Sequence, residues 1–462
     1  MLKQKAIDII DGNSEAMVSM SRTLWENPEE PMKETFACET QKGYLRKQGF
    51  RIIENKEIPT AFIAEYGDGK PVFGLLGEYD ALKDLSQKIS AEKSIIQEGA
   101  PGHGCGHNLL GVACLGAAVA IKELIEKKEI CGTIRYYGCP AEEMILGKVL
   151  MARVGMFDDL DACLAWHPSS MTMPWAGSHL SIYSAIFSFT GKGAHAGSSP
   201  HLGRSALDAV ELMNVGANYM REHIPEQNRV HYIITKGGVE PNTVPAEASV
   251  WYNVRSLNKE MAHETFRWLA EIAKGAAMMT QTTLSGIKII SGAYEVLSNQ
   301  TLVKVIEENM TALGAPGFTD EDRSFAKAIS EKFDRPQKEN AFRSNFIPAS
   351  LMDAYLHEGV EPPHDFGMTL KASTDAGDVS WITPFAMFGV ATWPLGVVAH
   401  TWQATAASGS GIGFHAMLFA AKVMAASLID IYTNESILEK AKTEFAESTK
   451  GKKYIAALDE EF

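Results

Sequence analysis

Over its N-terminal third the chain alternates short apolar runs with longer amphipathic stretches, and this alternation constrains the fold more than any other feature. Residues 51–53, 61–65, 72–76, 133–137 and 162–166 have the length and apolar character of strands. Residues 35–49, 108–127 and 147–154 fall between them with helical spacing. Residues 1–25 carry Ala6, Ile9, Ile10, Met17, Met20 and Leu24 on a helical stripe that Asn13 interrupts, and 411–432 are again helical in pattern. Such an order predicts a sheet covered by helices. The middle differs. There the pattern predicts strand 181–190, helix 205–223, strands 231–235 and 247–255, helix 259–280 and strand 283–290. That βαββαβ order is the ferredoxin-like unit. At roughly 150 residues per domain, 462 residues accommodate one main α/β domain, 1–180 plus 293–462, with 181–292 inserted between its halves. The polar stretch 320–346 is expected to be a surface excursion.

Composition narrows the class. Lys and Arg number 43 against 57 Asp and Glu, a balance of 43 − 57 = −14, and the basic stripe of a nucleic-acid binder is missing. Residues 1–20 contain Asp8, Asp11 and Glu15 and no long apolar run, so no secretory signal is expected. The longest apolar stretch, 385–399, is short of the ~18 residues of a membrane span and contains Pro394. No membrane partner is expected. The six cysteines form no C-x-x-C pair, which fits a reducing, cytoplasmic setting.

Four polar motifs carry chemistry. In His103-Gly104-Cys105-Gly106-His107-Asn108, thiol and imidazole are nitrogen and sulfur metal donors. They converge only if they lie on the turn before a helix, with Asn108 as its N-cap; the alternative is a glycine-rich turn with incidental His and Cys. Glu142-Glu143 follows the strand 133–137. Adjacent residues at a strand end point to different sides, so one carboxylate can bind metal while the other serves as general base. An acidic first turn of a helix is the plainer alternative. His167 precedes Pro168, which favours extended backbone, and Gly77-Glu78-Tyr79-Asp80 ends the strand 72–76. The last three motifs sit at carboxyl ends of expected strands, where open α/β sheets bind ligands. Gly409-Ser410-Gly411-Ile412-Gly413 lacks the dinucleotide-binding spacing, no Walker lysine is present, and Gly197-Ser198-Ser199 forms no nucleophile elbow.

The succession GEYDAL, HGCGHN, PAEE, WHP, GKGAHAGSSPH, GGVEPNTVPAEA and VVAHTWQ resembles the aminoacylase and glutamate-carboxypeptidase family of dinuclear metallopeptidases, and its Cys-Gly-His form is similar to the amidohydrolase branch. The resemblance implies a zinc-peptidase-like three-layer α/β/α catalytic domain with an inserted ferredoxin-like lid and dimerisation domain. It implies two divalent ions, zinc or manganese, held by Cys105, His107, Glu143, His167 and His400, with Cys105 bridging. Glu142 would be the general base and Asp80 would orient a ligand. Other branches have a metal-binding histidine where this chain has Glu78, so no ligand role carries over there. His195 would reach a partner subunit's site and stabilise an oxyanion; Asn242 and Arg255 would contact substrate. The implied activity is hydrolysis of an N-acyl amino acid, with p-aminobenzoyl-glutamate giving p-aminobenzoate and glutamate as the first expectation. The alternatives are a dipeptidase or another N-acyl amino acid hydrolase, or a weakly active partner subunit. A homodimer or a hetero-oligomer with a related subunit is implied.

Overall fold

The computed structural model describes residues 1–462. The chain forms two compact units: Met1–Ser178, Leu297–Leu370 and Val379–Tyr454 make the first, and His179–Val296, Lys371–Asp378 and Ile455–Phe462 the second.

The first unit is built on a seven-stranded sheet in the order Arg51–Glu54, Phe62–Gly67, Thr133–Cys139, Val72–Glu78, Ala162–Ser169, Phe385–Ala391, Met173–Trp175. Its four inner strands, from Thr133–Cys139 to Phe385–Ala391, run parallel, and the outer ones are antiparallel. A parallel strand needs cover on both faces, and every residue of Val72–Glu78 and Phe385–Ala391 is buried. The latter, visible in the sequence only as an apolar stretch, is therefore a central strand. Two helices, His107–Glu126 and Gly411–Thr433, are long and apolar enough to cross a membrane, yet 89% and 83% of their most apolar windows are buried inside the protein. They are core helices.

Local chemistry explains where the pattern breaks. The N-terminal stripe is two helices, Leu2–Gly12 and Ser14–Glu26, parted where the Asn13 amide donates to the Ile9 carbonyl at 2.8 Å. The polar stretch after residue 319 is not an irregular excursion. It forms helices Asp320–Ser330 and Arg335–Ser344, each started by a reciprocal capping box, Thr319 with Asp322 and Asp334 with Gln337.

The second unit is a four-stranded antiparallel sheet in the order Thr283–Ala293, Ser181–Thr190, Glu247–Ser256, Arg229–Lys236, with helices Ala206–Met220 and Lys259–Thr280. Alternate residues of Glu247–Ser256, Val250, Tyr252 and Val254 among them, are buried with Phe187 and Phe266 in one core. The edge strand Arg229–Lys236 leaves Ile233 and Ile234 exposed. Two segments expected in the main domain belong here instead. Residues 371–378 join through Leu180 N–H to the Ala372 carbonyl (2.8 Å) and Tyr294 N–H to Asp378 (3.2 Å). Residues 455–462 join through Lys259 Nζ to Glu460 (2.9 Å) and through Phe462, whose ring lies 4.6 Å from that of Phe266. Neither contact has a local sequence signature.

Candidate metal centre

The parallel strands of the first unit deliver their carboxyl ends to one edge. Val72–Glu78 runs into Tyr79 and Asp80, and Thr133–Cys139 into Glu142 and Glu143. Ala162–Ser169 carries His167 near its end, and Phe385–Ala391 leads to the loop of His400. The fifth contribution is the turn 103–106. Gly106, at φ +76°, is the N-cap of the helix that His107 opens. Asn108 is not the cap: it lies inside the helix and donates to Ser21 Oγ (3.1 Å) and the Ser408 carbonyl (3.0 Å). A side chain at Gly104 would meet Leu85 at 2.5 Å, so the turn admits only glycine there without a shift.

These elements bring all five sequence-predicted ligands together. The donor atoms of Cys105, His107 and His167 lie within 4.8 Å of one another, as do those of Cys105, Glu143 and His400. Cys105 belongs to both groups. Its Sγ is 3.5 Å from His167 Nε2, and His400 Nε2 is 3.2 Å from Glu143 Oε2. The imidazoles are oriented from behind. His107 Nδ1–H donates to Asp80 Oδ1 (3.0 Å) and His167 Nδ1–H to the Pro168 carbonyl (2.7 Å). Each ring thus turns an unprotonated Nε2 toward the cluster, the arrangement of metal-ligating histidines. The other Asp80 oxygen accepts the Glu143 amide (2.9 Å), so one buried carboxylate sets both a histidine and the acidic loop.

Electrostatics favour a bound cation. Burial alone raises the Cys105 thiol, but His167 and His107 outweigh it and hold the group well below the ordinary thiol range. Hydrogen bonds with Cys105 and Glu143 raise His400 to about 11, and burial with the neighbouring thiolate pushes Glu143 up to about 7. His107 Nε2 and Glu143 Oε1 are buried with no hydrogen-bond partner, a costly condition unless an ion takes them up. A thiolate, imidazoles and a carboxylate in two groups sharing one sulfur fit two divalent ions.

Glu142, 7% exposed, places Oε2 3.9 Å from His107 Nε2. It belongs to neither group that shares the thiol; with Glu78 and His107 it makes a third group of donors on the far side of that imidazole. Glu78 Oε2 is 3.3 Å from His107 Nε2, and its other oxygen binds the fully buried Lys148 at 2.6 Å. His103, the first histidine of its motif, stays outside all three groups. It contacts the Leu24 carbonyl at 3.2 Å, and burial pushes it down to about 3. Sequence reasoning misses Glu34, a fully buried acid whose Oε1 accepts the Ala141 amide at 2.8 Å. Burial and Asp80 raise it to about 7. No motif surrounds it; its signal is the fold alone.

The remaining predicted residues lie in the second unit. His195 is exposed, and its Nδ1 accepts the amides of Gly197 (3.2 Å) and Ser198 (3.1 Å), which leaves the proton on Nε2. Its loop is tied to that of Asn242 by Ala196 N–H to the Asn242 carbonyl (2.8 Å); the Asn242 side chain is exposed. Arg255 is half-buried, donates to Ser373 Oγ (3.0 Å) and has no acidic partner, and burial lowers its pKa.

Fold and site together define a two-metal hydrolase architecture, an α/β metal-binding unit interrupted by a ferredoxin-like unit. The peptidase dimerisation domain of the M20 family matches residues 178–278. The chain is 38% identical over 459 residues, 97% of its length and 95% of the relative's, to one of the two kinds of chain that make up the p-aminobenzoyl-glutamate hydrolase of Escherichia coli K12. It is 26% identical over 465 residues, 96% and 92% of the two lengths, to the Xaa-Arg dipeptidase of Mus musculus. Among solved structures, the aminobenzoyl-glutamate utilization protein of Klebsiella pneumoniae aligns with a TM-score of 0.62, covering 92% of this chain and 98% of that one. A dinuclear metal-binding M20 peptidase of Bacillus subtilis aligns at 0.59, covering 92% and 99%. Both are 16% identical and speak to the fold. The chain belongs to the M20 family, the aminoacylase and glutamate-carboxypeptidase family, and is an amidohydrolase of it.

Proposed function

We propose that the chain hydrolyses the amide bond of an N-acyl glutamate, with p-aminobenzoyl-glutamate as substrate and p-aminobenzoate and glutamate as products. The observation that carries this reading is the sharing of Cys105 between two ligand groups with Glu142 beside them. The substrate follows from the full-length similarity to the Escherichia coli hydrolase chain. The thiolate favours zinc, while the imidazole and carboxylate donors also accept manganese. Cys105, His107 and His167 would hold one ion and Cys105, Glu143 and His400 the other.

When bound, such ions lower the pKa of a water and polarise the amide carbonyl. Glu142 takes the proton of the attacking water and returns it to the leaving amine nitrogen. Asp80 keeps the proton of His107 on Nδ1, so that Nε2 remains a ligand. His195, with its proton on Nε2, donates to the tetrahedral oxyanion in a partner subunit's site. Arg255 receives a carboxylate of the glutamate moiety, for which its fork geometry is suited, and Asn242 contacts the substrate. The exposed Ile233 and Ile234 on the edge strand support pairing with a second copy or a related subunit. The six cysteines, none of them in a disulfide, support a reducing, cytoplasmic setting.

Glu142→Gln tests the reading. Turnover of p-aminobenzoyl-glutamate should fall by about a thousandfold, inside the ~10²–10⁴ range of acid–base catalysis, with both metal equivalents retained by elemental analysis. Near-normal turnover would remove Glu142 as the base. A panel including Xaa-Arg dipeptides separates the acyl-glutamate specificity from that of the mouse relative.

A further inference from the structure

We propose that Glu34 is a positioning residue for Glu142, acting through the backbone of the loop that carries the base. The inference rests on the proposed role of Glu142 and extends it to an acid whose partner amide lies 107 positions away in the chain.

Glu34 sits at the N-cap of the helix Thr35–Lys47, where an acidic side chain ordinarily satisfies the first free amides. It does not do so here. Glu29 takes that task, accepting the Phe36 and Ala37 amides at 2.9 Å each. The Glu34 carboxylate is thereby released to point elsewhere. Its Oε1 accepts the Met32 amide (2.8 Å) and the Ala141 amide (2.8 Å), and its Oε2 accepts the Thr60 hydroxyl (3.1 Å).

Ala141 is the residue before the base. It is fully buried and holds φ +52°, a left-handed conformation that a residue with a Cβ adopts only when its surroundings impose it. Without Glu34 its amide would be a buried donor with nothing to bond. On the other side of Glu142, the Glu143 amide is held by Asp80 Oδ2 at 2.9 Å. The base is therefore clamped at both flanking amides by two buried carboxyl groups, one from each of two distant segments. Asp80 announces itself by its motif; Glu34 does not. What Glu34 contributes is reach and an acceptor oxygen at one point, and a carboxylate charge is not needed for that.

The test separates reach from charge. Glu34→Gln keeps an acceptor at Oε1 for both amides and offers its NH₂ to the Thr60 hydroxyl. Glu34→Asp keeps the charge but is one methylene too short. In the metal-loaded full-length protein, Glu34→Gln should turn over p-aminobenzoyl-glutamate within about threefold of the unaltered chain. Glu34→Asp should lose on the order of 10- to 100-fold in kcat with KM within about twofold, the scale expected when a reacting group is misplaced by about an ångström. The cobalt-substituted Glu34→Asp protein should keep its thiolate-to-cobalt absorption, which reports Cys105 and its ion. The proposal is overturned if Glu34→Asp keeps full kcat, or if Glu34→Gln is as impaired as Glu34→Asp. A melting temperature lowered in Glu34→Asp with kcat unchanged would make Glu34 merely structural and equally overturn it. Should Glu142→Gln itself stay active, the base assignment fails; should Glu142→Gln be dead while both Glu34 variants match the unaltered chain, only the clamp fails.

Discussion

The two units keep their polar side chains in opposite conditions. In the first, almost every candidate group is buried and held by another: Asp80 by His107 and the Glu143 amide, Glu78 by Lys148, Glu34 by three donors. In the second, His195 and Asn242 are exposed, and Arg255 has one neutral hydroxyl for company. A site that must present ions in fixed geometry gains from ligands locked beforehand. Groups that must seize a substrate gain from lacking partners, because a guanidinium already paired would have to break that pair first. On the proposed reading, the first unit is therefore prepared for metal and the second for an anion.

The largest effect expected from this contrast is at Cys105. Cys105→Ser should abolish binding of at least one ion and reduce turnover to background, seen by metal analysis and assay together. Full metal content would mean the thiolate is not shared. His195→Ala should cut kcat by roughly 100-fold, the usual cost of losing one oxyanion donor, with metal content untouched. Loss of metal in that variant would erase the division of labour between the units. Arg255→Met should raise KM for the acyl-glutamate by about tenfold, the scale of a contact worth ~1.4 kcal/mol, and leave the melting temperature unchanged or slightly higher, since an unpaired half-buried guanidinium contributes little stability. A marked fall in melting temperature would show that Arg255 holds the fold instead.

The smallest effect concerns a paired group in the first unit. His415 Nδ1 lies 2.8 Å from Asp322 Oδ2, and this hydrogen bond raises the His415 pKa. Burial works to raise Asp322, but His415 and Thr319 outweigh it and lower it. A raised histidine stabilises fully below its unfolded value near 6.5 and loses that contribution as pH rises through its folded value. A lowered aspartate stabilises above about 3.8 and loses it as pH falls further. The destabilisation caused by His415→Asn should thus be greatest near pH 5 to 6 and shrink toward pH 9. With His415 about a third exposed, it should amount to no more than ~1 kcal/mol, read from denaturant midpoints. A pH-independent difference would mean that packing, not charge, is what the substitution removes.

The parallel core and the ligand set are legible in the sequence because each strand-end motif pairs a chemical signature with an apolar run of strand length. The βαββαβ order of the second unit is legible because its helices and strands are long enough for their periods to show. Phe385–Ala391 escapes as a strand, since one buried on both faces has no alternation to detect. Asn108 looks like the cap because Asn commonly fills that position, whereas Gly106 alone adopts the left-handed turn that Cys105 and His107 require. Glu34 and the partnership of Lys148 with Glu78 are invisible because nothing local distinguishes an acid that distant segments will bury from one that will face water. The membership of residues 371–378 and 455–462 in the second unit is hidden for that reason too.

That last segment has a practical corollary. Phe462 packs against Phe266, His263 and Tyr183, while Glu460 engages Lys259, His263 and the Tyr183 hydroxyl. These few residues act as a clasp on the helix Lys259–Thr280. Trimming them by a protease, or displacing them with a fused purification tag, would uncover aromatic surface on the inserted unit and invite clumping, even in a preparation whose ligand cluster is chemically intact.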